Sequence, residues 1–301
     1  MALVECVPNV SEGRRSGVIA ALADSIAARG VHLLDQSSDP SHNRTVFTFV
    51  GEAGPVQQAV VRLFASAIAQ IDLRCHDGVH PRIGAVDVVP FVPLDGTLMR
   101  DCVDLARSTA ALVSERFKVP VYLYEAAAVR PTRRNLSEIR RGGFEKLAPR
   151  MRDDAWRPDF GDPEPHPTAG VSAIGARAVL IAYNVNLETD RVDVARRIAR
   201  AIRASSGGFS HVKAMGVFLA HRRIAQVSMN LTDYRRTPMT TVFDAIAREA
   251  ATERVAVRES EIVGLVPADA LPTDPVKRLK LREADADRVL EIRLRDALAR
   301  K

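Results

Sequence analysis

The sequence is poor in aromatic residues and in cysteine, and each shortage excludes a class of protein. Phe, Trp and Tyr make up 5% of the 301 residues, with one tryptophan, so the cores must rest on Ala, Val, Leu and Ile. The interleaved aromatics that RNA-binding sheets use do not occur. The three cysteines, Cys6, Cys75 and Cys102, are odd in number and widely spaced. They give neither a disulfide framework nor a Cys-x-x-Cys metal pair, which fits a reducing cytoplasm.

Long apolar runs and nucleotide-binding motifs are missing as well. No run approaches the length of a membrane span, and residues 1–9 carry neither the basic nor the apolar region of a signal peptide. A Walker A sequence, a Gly-x-Gly-x-x-Gly after a strand and a Gly-x-Ser-x-Gly elbow are all absent. We therefore expect a cytoplasmic protein with no membrane partner and none of these three kinds of site.

What the chain does have is length and positive charge. Its 301 residues are enough for two modest domains, and 47% hydrophobic residues can fill their cores. The formal net charge of +6 and the pI near 9.5 favour anionic partners. Small carboxylates, phosphates and nucleic acid all qualify, and composition does not choose among them.

The order of predicted elements is β-α-β-β-α-β, and it occurs twice. We therefore predict an α/β (α+β) fold with two ferredoxin-like βαββαβ subdomains side by side, residues 1–173 and 174–301, and a ligand crevice between them. The predicted strands of the repeated units are residues 3–7, 31–34, 45–51 and 86–92, then 177–186, 212–219, 224–231 and 255–266. The predicted helices are residues 16–29, 55–71, 97–117, 136–147, 190–204, 237–250 and 275–301, and a further strand is residues 119–124.

A short polar loop that leads into an apolar strand at residues 75–93 is the first candidate site. His80 lies in this loop beside Pro81 and suits a general acid/base, since neutral imidazole titrates near pH 6.5. A structural histidine bonded to a carbonyl is the alternative. The spacing of His76 and His80 matches a helical metal pair, but Gly78 and Pro81 disfavour a helix there, so we expect no metal.

Two charged residues near this loop need partners. Arg44 follows Asn43 after a turn-rich polar stretch, residues 35–44. Its guanidinium suits a substrate carboxylate, and it equally suits Asp35 or Asp39 as a loop-fixing pair. Asp87 interrupts the apolar strand. A carboxylate buried there requires a partner, for which we consider Arg82 or His80.

Arginine and proline shape the region that joins the two predicted halves. Five arginines surround the short helix predicted at residues 136–147, namely Arg130, Arg133, Arg134, Arg140 and Arg141. The stretch 156–170 has almost no hydrophobic periodicity. A loop of this length is either a linker or a segment that covers a ligand.

Several segments, taken together and in order, resemble glutamate formimidoyltransferase, the transferase half of the formimidoyltransferase–cyclodeaminase family. The resemblance extends to about residue 267. The segments are residues 5–13 (ECVPNVSEG), 42–51 (HNRTVFTFVG), 80–88 (HPRIGAVDV), 119–124 (VPVYLY), 158–161 (PDFG), 180–187 (LIAYNVNL), 226–228 (QVS) and 263–267 (VGLVP).

The resemblance implies transfer of a formimidoyl group from N-formimidoyl-L-glutamate to N5 of tetrahydrofolate in histidine breakdown, by a homodimer with a folate tunnel. Tetrahydrofolate, or its polyglutamylated form, is then a co-substrate. The implied catalytic residue is His80. We expect substrate binding by Asp39, Asn43, Arg44 and Arg82, with the last two holding the glutamate carboxylates. The implied folate-binding segment is Gly161, Asp162, Pro163, Glu164, Pro165, His166, Pro167, Thr168, Ala169 and Gly170.

We expect direct transfer, in which one neutral His80 takes a proton from N5 and returns it to the departing amine. No cyclodeaminase half follows in the sequence, so a separate enzyme would cyclise the product. Two alternatives stay open. One is a transferase with formimidoylglycine as donor, or with 5-formyltetrahydrofolate as donor and glutamate as acceptor. The other, more distant, is a nucleic-acid-binding module, which the charge and the fold alone suggest.

Overall fold

The computed structural model describes residues 2–299, and the chain divides after Arg177 into two compact units. The division falls just beyond the expected boundary between residues 173 and 174, and a strand of the first unit, Ser172–Ala176, spans that boundary. Within the described residues, no helix is both long and apolar enough to cross a membrane.

The first unit is built on a mixed sheet. Its spatial order is β3-β4-(β1, β2)-β5-β7-β6, where β1 and β2 are two short pieces that lie between β4 and β5. The pairs β5–β7 and β6–β7 are parallel, and the other pairs are antiparallel. The strands are β1 (Val4–Cys6), β2 (Asn9–Val10), β3 (Val31–Asp39), β4 (Arg44–Gly51), β5 (Val86–Pro93), β6 (Val121–Glu125) and β7 (Ser172–Ala176).

The three long helices of the first unit cover one face of this sheet, and the other face carries polar side chains together with an apolar cluster that includes Val88, Tyr122 and Ile139. Phe47 and Phe49 of β4 belong to the core beneath the helices. Because strand side chains alternate between faces, Arg44 of the same strand lies on the opposite face. The helices of the first unit are α1 (Ser16–Ile26), α2 (Ala53–Gln70), α3 (Met99–Phe117), α4 (Leu136–Ile139) and α5 (Leu147–Met151).

The second unit is a four-stranded antiparallel sheet in the order β11-β8-β10-β9. Numbered within the unit this order is 4-1-3-2, and β5, β1/β2, β4 and β3 of the first unit have the same order. The predicted pair of βαββαβ units is therefore confirmed. The elements are β8 (Ile181–Leu187), α6 (Val192–Ile202), β9 (Val212–Leu219), β10 (Ile224–Leu231), α7 (Met239–Thr252), β11 (Val257–Val263), α8 (Pro275–Leu279) and α9 (Leu290–Ala299).

Four details of the prediction are wrong. The polar stretch 35–39 continues β3, because its backbone pairs with β4 from Asp35 opposite Thr48 to Asp39 opposite Arg44. Helix 136–147 is broken by two glycines with positive φ, at residues 142 and 143. Strand β7 was missed because it is short and made of small residues. One of them, Gly175, is required because a Cβ there would lie 2.3 Å from the Tyr124 carbonyl oxygen.

The fourth error is the C-terminal tail, which is not one long helix. Helix α8 ends at Leu279, and the next residue, Lys280, has a left-handed φ of 48°. Beyond it, the buried carboxylate of Asp285 accepts a hydrogen bond from the backbone N–H of Ile262 in β11. Arg282 and Arg288 pair with the same carboxylate. These tertiary contacts hold the tail against its own sheet, whereas spacing of leucines alone suggested a continuous helix.

Candidate active site

His80 lies in the loop before β5, with its ring partly buried. Its Nδ1 is 2.8 Å from the carbonyl oxygen of Pro81 and 3.1 Å from Nη1 of Arg44. A neutral imidazole nitrogen cannot both donate and accept, so these contacts favour different tautomers. The Pro81 contact is shorter, and Arg44 Nη1 already donates to Asp87. We therefore assign the proton to Nδ1, which leaves the lone pair of Nε2 as the base.

Arg44, at the start of β4, has an acceptor for each of its three guanidinium nitrogens. Its Nε and Nη2 donate to Oδ1 of Asn9 at 2.9 and 2.6 Å. Its Nη1 donates to Oδ2 of Asp87 at 2.9 Å. The side chain is 11% exposed, and each of its three guanidinium nitrogens already has an acceptor. The structure therefore holds the Arg44 guanidinium as a fixed positive charge beside the His80 ring.

Asp87 is fully buried at the start of β5. Its Oδ1 accepts the backbone N–H of Ile83 at 2.8 Å. Its Oδ2 accepts from two guanidinium groups, Arg44 at 2.9 Å and Arg140 at 2.5 Å. The partners are thus Arg44 and Arg140, and not the Arg82 or His80 that the sequence suggested.

The electrostatics of this cluster fix its protonation. The pKa of His80 lies well below its usual value because the ring is buried and because Arg44 and Arg140 are close. Burial alone would raise the pKa of Asp87, but the charges of Arg140 and Arg44 outweigh it and lower that pKa. Burial also lowers the pKa of Arg44 to about 10. At neutral pH the cluster therefore holds a neutral imidazole, one carboxylate and two guanidinium cations.

Arg82, which was predicted to bind substrate, directs its guanidinium to the loop residue His76. Its Nε donates to Nδ1 of His76 at 2.9 Å, and its Nη2 donates to the His76 carbonyl oxygen and to Oε1 of Glu145, both at 2.8 Å. Nε2 of His76 is in turn 2.9 Å from the carbonyl oxygen of Asn43. His76 thus ties the loop to the neighbouring turn and does not form a pair with His80.

Asp39 and Asn43 frame the tight turn between β3 and β4. Oδ1 of Asp39 accepts the backbone N–H of His42 at 2.7 Å. Asn43 has a left-handed φ of 48°, and its side chain joins Gly13 N–H at 2.9 Å to the Asp77 carbonyl oxygen at 2.8 Å. The turn also places His42, which sequence reasoning did not select, with its ring centroid 5.7 Å from that of His80.

The predicted folate segment is an ordered loop whose C-terminal end lies beside the His80 loop. His166 and Gly170 exchange two backbone hydrogen bonds of 2.9 Å, and Gly170 pairs with Gly84. A Cβ at Gly170 would lie 2.2 Å from the Ile83 carbonyl oxygen. The exposed members are Gly161, Asp162, Pro163, Glu164 and Pro167, the half-buried ones are Pro165, His166 and Thr168, and the buried ones are Ala169 and Gly170.

Two residues of the cluster were not chosen from the sequence as site residues. Asn9 lies in the segment 5–13 that carries the family resemblance, which was an available signal. Arg140 is 53 positions from Asp87, and the only hint was the concentration of arginines at residues 130–141. Within residues 2–299, no group of three or more His, Cys, Asp or Glu side chains is arranged to hold a metal ion.

Comparison with known proteins shows the family to which the chain is similar. Residues 3–177 match the formiminotransferase domain, N-terminal subdomain, and residues 182–275 match the formiminotransferase domain. The chain is 46% identical over 270 residues to a glutamate formimidoyltransferase of Streptococcus pyogenes, covering 89% of this chain and 90% of the relative. It is 45% identical over 300 residues to a glutamate formimidoyltransferase of Thermoplasma acidophilum, covering 99% of each. The formimidoyltransferase-cyclodeaminase of Rattus norvegicus is 41% identical over 276 residues, 89% of this chain and 51% of that protein.

A neutral imidazole can accept a proton, and guanidinium groups suit anionic ligands, so the first-unit cluster can combine proton transfer with the binding of an acidic substrate. The class is a transferase. The chain belongs to the formiminotransferase family.

Proposed function

We propose that this protein transfers the formimidoyl group of N-formimidoyl-L-glutamate to N5 of tetrahydrofolate. The observation that carries the proposal is identity of 45–46% to two proteins named glutamate formimidoyltransferase, over 89–99% of the chain. The neutral His80 ring and the surrounding cations support the same reaction, since both substrates are carboxylates.

In the proposed mechanism, the nitrogen N5 of tetrahydrofolate attacks the formimidoyl carbon and a C–N bond forms. Nε2 of His80 takes the proton that N5 loses. The tetrahedral intermediate then breaks its other C–N bond, and the same Nε2 gives the proton to the departing glutamate nitrogen. Positioned proton transfer of this kind contributes about 10²–10⁴ in rate. The low pKa of His80 supports this role, because the base form is present at neutral pH.

The other predicted residues have supporting roles in this proposal. Nη1 of Arg44 lies 3.1 Å from Nδ1 of His80, and its charge keeps the ring neutral. Asp39 and Asn43 shape the substrate side of the β3–β4 turn, and Arg82 fixes the His80 loop through His76. The loop 161–170 contacts the folate. Acidic substrates also suit the net positive charge of the chain. We further propose a cytoplasmic homodimer, with the three free cysteines supporting a reducing compartment.

The test is to mix the purified protein with formimidoylglutamate and tetrahydrofolate and to follow the folate product spectroscopically. We expect turnover that requires both substrates. Formimidoylglycine as donor, and 5-formyltetrahydrofolate with glutamate as acceptor, should turn over far more slowly. Equal or faster turnover with either would replace the proposed donor. No folate product from any pair, together with strongly salt-dependent RNA binding, would contradict a transferase function altogether.

A further inference from the structure

Arg140 is the guanidinium of the cluster with the most unused donors. Its Nη2 donates to Asp87, and its Nε is buried without a hydrogen-bond partner. Within the described part of the chain its Nη1 makes no hydrogen bond. The side chain is 13% exposed. A guanidinium has five N–H groups, so two on Nη1 and one on Nη2 remain for another molecule, whereas the buried Nε is closed to it.

The charges around Arg140 also favour binding of another molecule at its guanidinium. Arg44 and Arg140 share a single carboxylate oxygen, Oδ2 of Asp87, and no second carboxylate bonds to either guanidinium. This leaves one excess positive charge in a largely buried place, where an uncompensated charge is costly. A bound anion would remove that cost and would satisfy the open donors at the same time.

The two arginines that the sequence selected for this task make more contacts with the protein. Three of the five N–H groups of Arg44 donate to Asn9 and Asp87. Arg82 donates through Nε and Nη2, and its charge is paired with Glu145. Arg140 differs from both, because its one bond is to a carboxylate that another arginine also uses.

The position of Arg140 is fixed by packing. It directly follows the short helix α4, whose Ile139 is 1% exposed and belongs to the apolar cluster that includes Tyr122, Tyr124 and Val88. Nη2 of Arg150 donates to the carbonyl oxygen of Glu138 at 3.2 Å and so holds the end of the same helix. The guanidinium therefore stands beside Asp87 before any ligand arrives, as a preorganised binding group should.

We propose that Arg140 binds a carboxylate of the glutamate portion of the donor. The identity of that ligand rests on the proposed function, whereas the capacity of Arg140 to hold a small carboxylate rests on its open donors and on the excess charge. Arg44 then acts on His80 through its charge, and Arg140 is the residue that distinguishes a carboxylate from a neutral group.

The decisive experiment pairs a change in the protein with a change in the donor. Arg140→Gln and Arg140→Lys are assayed with formimidoylglutamate and with its two monoamides, in which either carboxylate is neutral. In the wild type, one amide should have kcat/KM lower by about 10- to 100-fold, the loss expected for a hydrogen bond to a charged group. In Arg140→Gln, that amide and the natural donor should be equal, mainly through a raised KM. Arg140→Lys should restore part of the difference.

The control is Arg141→Gln. The guanidinium of Arg141 is exposed and pairs with Glu138, so this variant should keep the wild-type discrimination between the donors. If Arg140→Gln still prefers the carboxylate by the wild-type factor, the inference is wrong. If it loses kcat while the KM values for all donors stay unchanged, Arg140 acts on the chemistry and the inference is equally overturned.

A binding measurement separates failure of this inference from failure of the proposed function. L-glutamate should raise the thermal midpoint of the wild type more than L-glutamine does, and Arg140→Gln should lose that difference. A wild type that shows no transfer but keeps this glutamate effect would refute the function and leave the carboxylate site standing. A wild type that transfers the formimidoyl group but treats both probes and all amides alike would refute the carboxylate site and leave the proposed function standing.

Discussion

Each unit carries a polar cluster on strands of its sheet, and the two clusters differ in their charge balance. The first-unit cluster consists of Asn9, Arg44, His80, Asp87 and Arg140. The second-unit cluster contains two carboxylates and two guanidiniums, joined by three buried amide side chains. Its members are Asn184, Asn186, Arg222, Gln226, Glu259, Glu261 and Arg282.

Glu261 is the centre of the second-unit cluster. Its carboxylate accepts from Asn184 at 3.1 Å and from Gln226 at 2.9 Å, and it pairs with Arg282 at 3.0 Å. Arg222 pairs with Glu259 and with Glu261. Two carboxylates therefore balance two guanidiniums in this cluster, and the further carboxylate that pairs with Arg282, Asp285, is balanced by Arg288. The comparison teaches that the strand order, which the two units share, does not decide where chemistry occurs. The excess cation and the neutral imidazole occur in one cluster only.

The largest effect should come from removing the base of the first-unit cluster. We expect His80→Gln to lower kcat by about 10²–10⁴, the usual contribution of a positioned acid/base, while circular dichroism and thermal midpoint stay close to wild type. His32→Gln, in β3 and outside the cluster, is the matched control. A folded His80→Gln enzyme with wild-type turnover would remove His80 from the mechanism.

Breaking the second-unit cluster should affect stability and spare the chemistry. Glu261→Ala removes a buried carboxylate that Arg282 and Arg222 share. The expected loss in the free energy of unfolding is about 3–5 kcal/mol, as for breaking a buried ion pair. Urea denaturation measures this loss, and kcat per folded molecule should be unchanged. Glu253→Ala, which breaks exposed pairs with Arg191 and Arg197, should cost much less. A large fall in kcat with unaltered stability would show that the second-unit cluster is catalytic, and the two clusters would then not differ in function.

The pH dependence should also separate the clusters. Because the pKa of His80 is lowered by burial and by Arg44 and Arg140, the acid limb of kcat/KM should lie well below pH 6.5. Arg140→Gln removes one of these cations, so the acid limb of kcat/KM should move to higher pH in this variant. Glu261→Gln should leave the acid limb at the wild-type pH. An unmoved limb in Arg140→Gln would show that the titrating group is not His80.

The same pKa shift predicts how stability responds to acid. A lowered pKa in the folded protein means that the unfolded chain binds the proton more tightly. His80 should therefore reduce the free energy of unfolding as the pH falls below the ordinary imidazole value of about 6.5. His80→Gln should show a weaker pH dependence in this window. Urea midpoints of both proteins between pH 7 and pH 5 provide the measurement.

The smallest effect should come from removing the excess cation itself in the absence of ligand. Arg140→Met leaves Asp87 paired with Arg44, so the free energy of unfolding should change by less than about 1 kcal/mol or rise. Arg133→Met is the contrasting variant. Arg133 is 1% exposed and pairs with Asp159 at 2.5 Å, so its loss should be strongly destabilising. Equal losses in the two variants would show that Arg140 is structural.

Much of this molecule follows from local sequence. A run of apolar, β-branched residues at positions 86–92 predicted β5, and the i, i+4, i+7 spacing of Val56, Val60 and Leu63 fits the buried stripe of α2. The sequence also selected His80 and Arg44 separately, and the structure brings them to 3.1 Å. The family resemblance was visible in short segments along most of the chain, because those segments occur in the same order and spacing.

The direction of each arginine was not available from the sequence. Arg82, two residues from His80, turns to His76 and Glu145, while Arg140 reaches Asp87 from 53 positions away. Proximity along the chain therefore selected the wrong neighbour for Asp87. The tail shows the same limit, since its leucines suggested one helix and the anchoring of Asp285 to β11 broke it.

By itself the sequence determined the two βαββαβ units, the family and the loop that carries the imidazole, because periodicity and turn residues act over a few positions. Only the tertiary structure decided which cations surround that imidazole and which of them has donors to spare. Hydrogen bonding and charge compensation depend on distances of about 3 Å, and long-range packing, such as that of Ile139 at the end of α4, sets those distances.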